Sequence, residues 1–504
     1  MNFINNNDLI SKSICSVELD NINLPQYIIE KILCILFNSK ELNGKQKISL
    51  NLISKSTFNF ISKSYYNSLK IDYSIGNKLS KVLKHYTSPY CSLQCIKHLI
   101  ISDNTENQDT SSQDILNFWI PVYKKLETLV DRNSKWLFEQ SLPFNEVLPC
   151  ILRMDIGFRS ELEFRLREPT THDTVELKKL GIYISHNSGL LNAIKLLNIV
   201  GNTIEDLTVT FDHFQVTFEN HDVKTFNEYF FNISHFGGGN QLKRIKSTVN
   251  SLPTPFYYNH LESLQYLDVP ILNNDILEFI QQSNQLISLK CIINQLAHLN
   301  QLLPILNKKP NIKRFSMISR YSGEVGNPHN EEWENLDHIE YISMKSDFYS
   351  IDAMLQANMA NSSIKELVLF EIYSNEYYPE KLNDFIFYGQ DSLEYLETDF
   401  KNLISEDLDI MYPVINGCKN LKTIKIIGTY EIMDVHVLGN SPSLENIIIS
   451  LLVKNIPRIP NFKILHTKEK GKDGPFEIHY IRGQEEPPTL LSNITNYISK
   501  WLKF

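Results

Sequence analysis

The sequence has few cysteines and no long apolar run. Its seven cysteines in 504 residues are odd in number and mostly far apart, whereas the disulfide framework of a small secreted protein is dense. The most apolar short segment, residues 447–453, is far shorter than the roughly 20 residues that a membrane-spanning helix needs. The opening residues, MNFINNNDLISK, also lack the basic start and apolar stretch of a secretory signal. We therefore expect a cytoplasmic protein, with a nuclear location also open, and no membrane partner.

The sequence also lacks a basic block and a phosphate-binding loop. Acidic and basic residues are mixed along the chain and leave a net charge of -9, so nothing in the pattern would follow a nucleic-acid backbone. The glycine run Gly237-Gly238-Gly239 is followed by Asn240-Gln241 and not by the Lys-Ser/Thr pair of a phosphate loop. We interpret the run as a flexible insertion and predict no nucleic-acid partner.

Residues that could carry chemistry are scattered. His85, Cys91, Cys95 and His98 have a spacing that zinc tolerates, but Cys95 and His98 flank a strand-like phrase, where buried thiols and a strand histidine are the simpler interpretation. No Ser-His-Asp or Cys-His arrangement has a local signature. We predict no catalytic residue, no metal and no cofactor. An uncharacterised α/β enzyme stays an alternative, and it would require a concave pocket with convergent polar groups.

One short phrase recurs along the chain: an apolar residue, two variable residues, an apolar residue, one variable residue and usually a third apolar residue. The phrase is clear in Ile96-Lys97-His98-Leu99-Ile100-Ile101, and most copies start about 22 to 30 residues apart. Apolar residues two apart indicate a short strand with one buried face. The other clear copies start at Ile151, Leu177, Ile204, Leu264, Ile312, Ile339, Ile364, Leu421 and Leu444, and weaker copies start at Leu126, Leu242, Leu286, Leu393 and Phe462.

Amphipathic helical patterns lie between the phrases. In residues 274–280 an Asn or Asp can cap a helix whose Ile276, Phe279 and Ile280 share a face, and Asp114 opens a similar pattern. A strand and a helix of this size cannot bury their apolar faces alone, so stacked units would build one continuous core. We predict an α/β solenoid with parallel strands on its concave face and helices outside.

This pattern resembles leucine-rich repeats over roughly residues 90 to 467, because the phrase and its period are those of that repeat. One feature departs from the family. The usual Asn or Cys shortly after the strand, which satisfies buried backbone groups, is mostly absent: Asn104 fits, whereas Asp212 and Thr429 occupy the equivalent places. The departure predicts an irregular array.

Residues 21–70 have a different character. Leu24-Pro25 opens a helical pattern of apolar residues, with the proline in a first-turn position where its missing N–H costs nothing. A second apolar stretch covers residues 48–61. A helical unit this small is marginal alone and gains stability by docking.

The two stretches resemble the two halves of an F-box: Leu24-Pro25 to Leu36, and Leu50 to Phe58 with its Ser54-Lys55. Gln26-Tyr27 stands where an acidic residue is common, and the intervening loop is long. The whole layout is similar to F-box proteins with leucine-rich repeats. The resemblance implies a Skp1-type adaptor and a cullin-RING ubiquitin ligase as partners, with a protein substrate held by the repeats. The residues implied to contact the adaptor are Leu24, Pro25, Ile28, Ile29, Ile32, Leu33 and Leu36.

The predicted organisation is therefore a flexible start (1–20), an F-box-like module (21–70), a solenoid (71–467), a linker or loop (468–488) and an amphipathic helix that caps the solenoid (489–504). The favoured function is substrate recognition for an SCF-type ligase. A repeat scaffold without a ligase, whose N-terminal helices only cap the array, is the alternative.

Overall fold

The computed structural model is an α/β structure built on a long, mostly parallel sheet, which has 17 strands within the described part of the chain. The residues that the structure describes are 26–38, 60, 68–72, 96–102, 122–131, 142–158, 167, 176–185, 188–211, 242–248, 254–319, 336–345, 363–370, 383, 386–387, 389–399, 412–429, 435–451, 458–469 and 476–482.

The strands follow one another along the sheet in chain order. From the second strand to the fifteenth each strand pairs in parallel with the next, and the first strand pairs with the second. Such an order is that of a repeat array, in which each unit contacts its neighbours. The strands are β1 (Ser68–Asp72), β2 (His98–Ser102), β3 (Thr128–Asp131), β4 (Arg153–Phe158), β5 (Lys179–Ile184), β6 (Asp206–Phe211), β7 (Arg244–Ser247), β8 (Tyr266–Val269), β9 (Ser288–Ile293), β10 (Arg314–Ser319), β11 (Tyr341–Lys345), β12 (Glu366–Phe370), β13 (Tyr395–Asp399), β14 (Thr423–Thr429), β15 (Asn446–Leu451), β16 (Phe462–Glu469) and β17 (Phe476–Arg482).

The predicted phrases form these strands and stack in register. The second apolar residue of each phrase lies beside the second apolar residue of the next, and every member of this core column is at most 2% exposed. The register confirms the repeat and explains its period, because a shift of one residue would turn every apolar side chain to the other face. The column runs through Leu99, Leu129, Met154, Leu180, Leu207, Ile245, Leu267, Leu289, Phe315, Ile342, Leu367, Leu396, Ile424 and Ile447.

The weaker copies have a visible reason. In three of the five weaker copies the third apolar position is occupied by Asp131 in β3, Ser247 in β7 and Thr398 in β13, and all three residues are buried. The pattern is therefore weaker in the sequence than in the structure, since the strands keep their register through the second apolar residue.

The helices between the strands complete the core. Helix α5 (Asn274–Gln282) buries Ile276, Leu277, Phe279 and Ile280, as its pattern predicts. Its N-cap is Asn273, one residue before the expected cap, and the side-chain Oδ1 accepts a hydrogen bond of 2.9 Å from the Ile276 N–H. The helices are α1 (Gln26–Asn38), α2 (Phe144–Val147), α3 (Ser188–Val200), α4 (Thr254–Tyr258), α5 (Asn274–Gln282) and α6 (Leu296–Asn307), with 3₁₀ turns at Gly201–Thr203 and Val435–Asn440.

Helix α3 packs closely on the ends of β4 and β5. A Cβ atom at Gly189 would lie 2.6 Å from the Phe158 Cβ and 2.9 Å from the Phe158 carbonyl oxygen. Only glycine allows this approach, because any side chain would overlap fixed backbone. The core of the array therefore lies between the sheet and its helices.

Hydroxyl groups connect neighbouring repeats. The residue just before the phrase donates to the carbonyl oxygen of the first apolar residue in the preceding phrase, which satisfies a group at the edge of the core. These pairs are Thr203–Leu177 at 2.9 Å, Ser263–Leu242 at 2.9 Å and Ser392–Ile364 at 2.7 Å.

Charges of alternating sign form a second connection between repeats. The residue after the first apolar residue of each phrase is often Lys or Glu, and successive copies pair across the strands. Exposed pairs contribute little each, but their alternation favours one register over its neighbours. The charge row contains Lys97–Glu127, Lys178–Glu205–Lys243, Glu340–Lys365 and Glu394–Lys422.

The C-terminal end of the sheet differs from the prediction. β17 lies between β15 and β16 and pairs with both in antiparallel fashion. The expectation that residues 468–488 are only a linker is therefore wrong for 476–482, and the copy at Phe462 is an edge strand instead of another parallel repeat. Alternation explains the strand: Ile478 and Tyr480 are buried, whereas the charges and the nearby Pro and Gly suggested a loop.

The chain divides into two compact units. One comprises Met1–Leu69, Asn77–Ile96 and Glu485–Phe504 and contains α1, and the other comprises Lys70–Gly76 and Lys97–Gln484 and contains β2 to β17. Among the described residues no helix is long and apolar enough to cross a membrane. Residues 1–20, the pattern after Asp114, the run at Gly237, most of the F-box-like module and residues 489–504 lie outside the described residues.

Candidate functional site

The face of the sheet that points away from the core carries the side chains that vary between repeats. We call it the outward face, and it has two columns, which flank the core column on either side. The first outward column contains His98, Thr128, Arg153, Lys179, Asp206, Arg244, Tyr266, Ser288, Arg314, Tyr341, Glu366, Tyr395, Thr423 and Asn446, and the second contains Ile100, Val130, Asp155, Gly181, Thr208, Lys246, Asp268, Lys290, Ser316, Ser343, Val368, Glu397, Lys425 and Ile448.

Arginine and tyrosine side chains stack along the first outward column. The Arg244 guanidinium lies 4.4 Å from the ring centroid of Tyr266, and that of Arg314 lies 4.0 Å from Tyr341. Arg314 also reaches past Tyr341 to the carboxylate of Glu366 at 3.4 Å. These contacts hold planar side chains in place before any partner arrives, which lowers the entropic cost of binding.

A second polar cluster lies on β13 and β14. The Tyr395 hydroxyl donates to Glu397 Oε2 at 2.7 Å, and Lys425 Nζ donates to Glu397 Oε1 at 2.6 Å. Burial, and then the hydrogen bond to Glu397, raise the pKa of Tyr395. The phenol therefore stays protonated and serves as a hydrogen-bond donor. Tyr395 and Lys425 together satisfy the Glu397 carboxylate.

A hollow of about 540 Å³ opens on the outward face at the carboxyl ends of β7 to β10. Lys246, Asp268 and Lys290 of the second outward column line one side, and Ile292 and Ile318 lie among the residues that line the rest. Lys290 Nζ lies 3.4 Å from Asp268 Oδ2. The hollow thus combines charged and apolar walls, as sites for small ligands or anchoring side chains do.

Two buried cysteines, Cys291 and Cys418, are unsuited to nucleophilic chemistry. Burial raises the pKa of the Cys291 thiol to about 12, and that of Cys418 to about 12 as well. Thiolate is the reactive form, so both side chains behave as small apolar core residues. Within the part of the chain that the structure describes, no group of three or more His, Cys, Asp or Glu side chains could hold a metal ion. His98 lies in β2, whereas His85, Cys91 and Cys95 lie outside the described residues.

The predicted adaptor contacts are only partly described. Helix α1 begins at Gln26, directly after Leu24 and Pro25, which lie outside the described residues. Ile28 is in the helix, but its side chain is not described. Ile29 and Ile32 share one face of the helix because they are three residues apart, and both are half-buried. Leu33 and Leu36 are buried. Whether these residues contact an adaptor stays a prediction.

The middle residues of one strand phrase, Lys365, Glu366 and Val368, have different roles in the structure. Lys365 pairs with Glu340 in the charge row, and Val368 is buried. Glu366 belongs to the outward column and contacts Arg314, which lies 52 residues away in sequence. The stacked column was missed, although a Tyr or Arg directly before the core residue of successive phrases is a signal that the sequence contains.

Comparisons with known proteins add little. No family model matches the chain, and no curated protein matches it. Among solved structures, a chain of the "Crystal structure of Rad7 and Elc1 complex in yeast" is similar over 79% of this chain and 93% of its own length, with 16% sequence identity and a TM-score of 0.35. With a TM-score this low, both fold and function rest on the residues of the chain itself.

Proposed function

We propose that the chain is the substrate-recognition subunit of an SCF-type cullin-RING ubiquitin ligase. In this proposal the N-terminal module binds a Skp1-type adaptor, and a leucine-rich-repeat-like solenoid holds a target protein on its outward face. In the same proposal the chain itself performs no chemistry. Its contribution is proximity, since holding a target beside the ligase raises the effective concentration of the two reacting partners.

The observation that carries the binding function is the composition of the outward face. Tyr and Arg are enriched at the energetic centres of protein interfaces, and the first outward column places Arg244, Tyr266, Arg314 and Tyr341 on strands β7 to β11. A parallel array keeps such residues about 4.8 Å apart from strand to strand, which suits an extended protein surface better than a small substrate.

The adaptor function rests on the F-box resemblance of residues 24–36 and 50–58 and on helix α1. The helix starts where Leu24-Pro25 predicts, and Ile29 and Ile32 retain exposed surface on one side. Half-exposed isoleucines at this spacing supply the apolar stripe through which a short helix docks on a partner.

The alternative of a scaffold without a ligase has an observation in its favour. Leu33 is 4% exposed and Leu36 is 7% exposed, so these two predicted contacts are already covered within the chain. A helix that only caps or stabilises its own unit would bury the same residues. The two functions therefore differ in what Ile29 and Ile32 do.

Titration calorimetry of the full chain with a purified Skp1-type adaptor tests the proposal. We expect micromolar or tighter affinity, and at least a tenfold loss in an Ile29→Glu/Ile32→Glu variant, which corresponds to about 1.4 kcal/mol or more. Lys31→Glu, an exposed position of the same helix, is the matched control and should bind as the natural sequence does.

Two results would count against the ligase function. Absence of binding by the natural sequence would leave the N-terminal module as a cap, and equal binding by both variants would move the contact away from helix α1. Circular dichroism of each variant shows whether the fold is retained.

A further inference from the structure

The outward face from β5 to β10 has a charge that the chain as a whole does not have. Its two columns contain five basic residues (Lys179, Arg244, Lys246, Lys290 and Arg314) and two acidic ones (Asp206 and Asp268), hence a net charge of +3. The whole chain carries -9. Concentrating positive charge on one face of an acidic protein favours partners of negative charge there and repels partners of positive charge.

The hollow lies within this basic region. Lys290 shares Asp268 at 3.4 Å, whereas Lys246, on the opposite side of Asp268, has no carboxylate partner among the described residues. Two ammonium groups therefore flank a single carboxylate. A ligand anion placed beside Lys246 would complete an alternating row of charges.

The remaining wall of the hollow is mainly apolar, with Ser247 and Thr248 as its polar members. Pro270, Ile271, Ile292 and Ile318 line it, and each of the four is half-buried. Half-exposed apolar side chains around a hollow of about 540 Å³ gain from an apolar side chain that displaces water from them. Inorganic anions or a polyanionic nucleic acid would leave this wall uncovered.

We infer that the hollow at the carboxyl ends of β7 to β10 binds an acidic peptide segment of the target, with a carboxylate at Lys246 and Lys290 and a neighbouring apolar side chain in the hollow. This inference rests on the proposed function, because it names the class of target that the outward face recognises. The occupant is an extended segment, since Lys246 of β7, Lys290 and Ile292 of β9 and Ile318 of β10 line one hollow across successive strands.

Selection from a random peptide library displayed on phage, against the immobilised full chain, tests this inference. We expect the selected pool to be enriched in Asp and Glu next to a large apolar residue. Affinities of the recovered peptides, measured by fluorescence anisotropy, should fall at least tenfold for Lys246→Glu/Lys290→Glu and should weaken as ionic strength rises.

The matched control is Lys308→Glu/Lys463→Glu, which changes the net charge equally at two exposed lysines that do not line the hollow. It should retain binding within twofold. If the double variant at the hollow loses its fold by circular dichroism, Lys246→Gln alone removes the unpaired cation and should still lower affinity several-fold. An Ile292→Asp substitution should remove the preference for an apolar residue.

A pool without acidic enrichment, recovered peptides that bind the charge-reversed variant equally well, or a selection without recoverable binders would each overturn the inference. None of these outcomes depends on the adaptor. A chain that binds its adaptor but selects no acidic peptide would refute the peptide class alone, and the opposite result would refute the ligase function alone.

Discussion

The two faces of the sheet are made of neighbouring residues in the same strands, yet their side chains follow different rules. The core column holds large apolar residues in every strand from β2 to β15, each at most 2% exposed. The outward columns change from Arg to Tyr to Glu or Ser between adjacent strands. Stacking restricts the residues of the core face, because every repeat must fit its neighbours. The residues of the outward face are not restricted in this way and can vary to suit a partner.

Paired aromatic substitutions on the two faces should give the largest difference. Phe315→Ala in the core column removes a fully buried ring and should cost about 3–5 kcal/mol of unfolding free energy. Tyr341→Ala on the outward face of the next strand should cost about 1 kcal/mol or less, because it mainly removes the stacking with Arg314. Urea unfolding followed by circular dichroism measures both. Equal losses would show that the faces are not energetically distinct.

The core disfavours charged groups, so the free energy of unfolding should depend on pH through a histidine buried there. Burial lowers the pKa of His260 to about 4, from an ordinary value of 6.5, so the folded state favours the neutral ring. The stabilisation from His260 is complete above about pH 6.5 and should fade as the pH falls towards 4, by up to about 3 kcal/mol.

The measurement is the unfolding free energy of the natural sequence minus that of His260→Leu at each pH. We expect this difference to shrink in favour of the variant on acidification. A difference that stays constant from pH 7 to pH 4 would mean that His260 titrates normally in the folded chain.

The hydroxyl contacts between repeats should have an intermediate effect. Ser263→Ala leaves the buried Leu242 carbonyl without its 2.9 Å partner and should cost about 1–2 kcal/mol. Ser316→Ala on the outward face serves as the control, with a change within about 0.5 kcal/mol. Should Ser263→Ala be as mild as the control, water would be replacing the hydroxyl, and the contact would add little to the stability of the array.

The charge row should have the smallest effect. Glu205 accepts from Lys243 at 2.8 Å and lies 3.1 Å from Lys178, and these hydrogen bonds lower the pKa of Glu205. Glu205→Gln should cost under about 1 kcal/mol, and molar salt should abolish the difference. A larger, salt-insensitive loss would show that the row contributes to folding and does not merely favour the register.

The core face was predictable from sequence because its signal repeats. The phrase beginning at Ile96 returns until Leu444, and one register explains every copy. Buried Asp131 and Thr398 weaken single copies, but their neighbours along the column supply the missing information. The antiparallel pair of β16 and β17 was not predicted, because a strand that reverses direction at the end of an array has no earlier copy in the sequence to compare with.

The outward face could not be predicted in the same way. Arg314 meets Glu366 across an intervening strand, and Lys425 meets Glu397 of the neighbouring strand, so these contacts follow from register and not from sequence distance. The hollow depends on the side chains of four strands at once. Local patterns contain none of these juxtapositions until the stacking order is known.

The measurement that tests the ligase function most directly is a reconstituted ubiquitin transfer with purified adaptor, cullin-RING complex and the full chain as its own acceptor. Exposed lysines such as Lys419, whose side chain is 77% exposed, are available as acceptors. We expect ubiquitin on the natural chain and on Lys31→Glu, and none on Ile29→Glu/Ile32→Glu. Equal transfer to all three, or transfer to none, would contradict the ligase function.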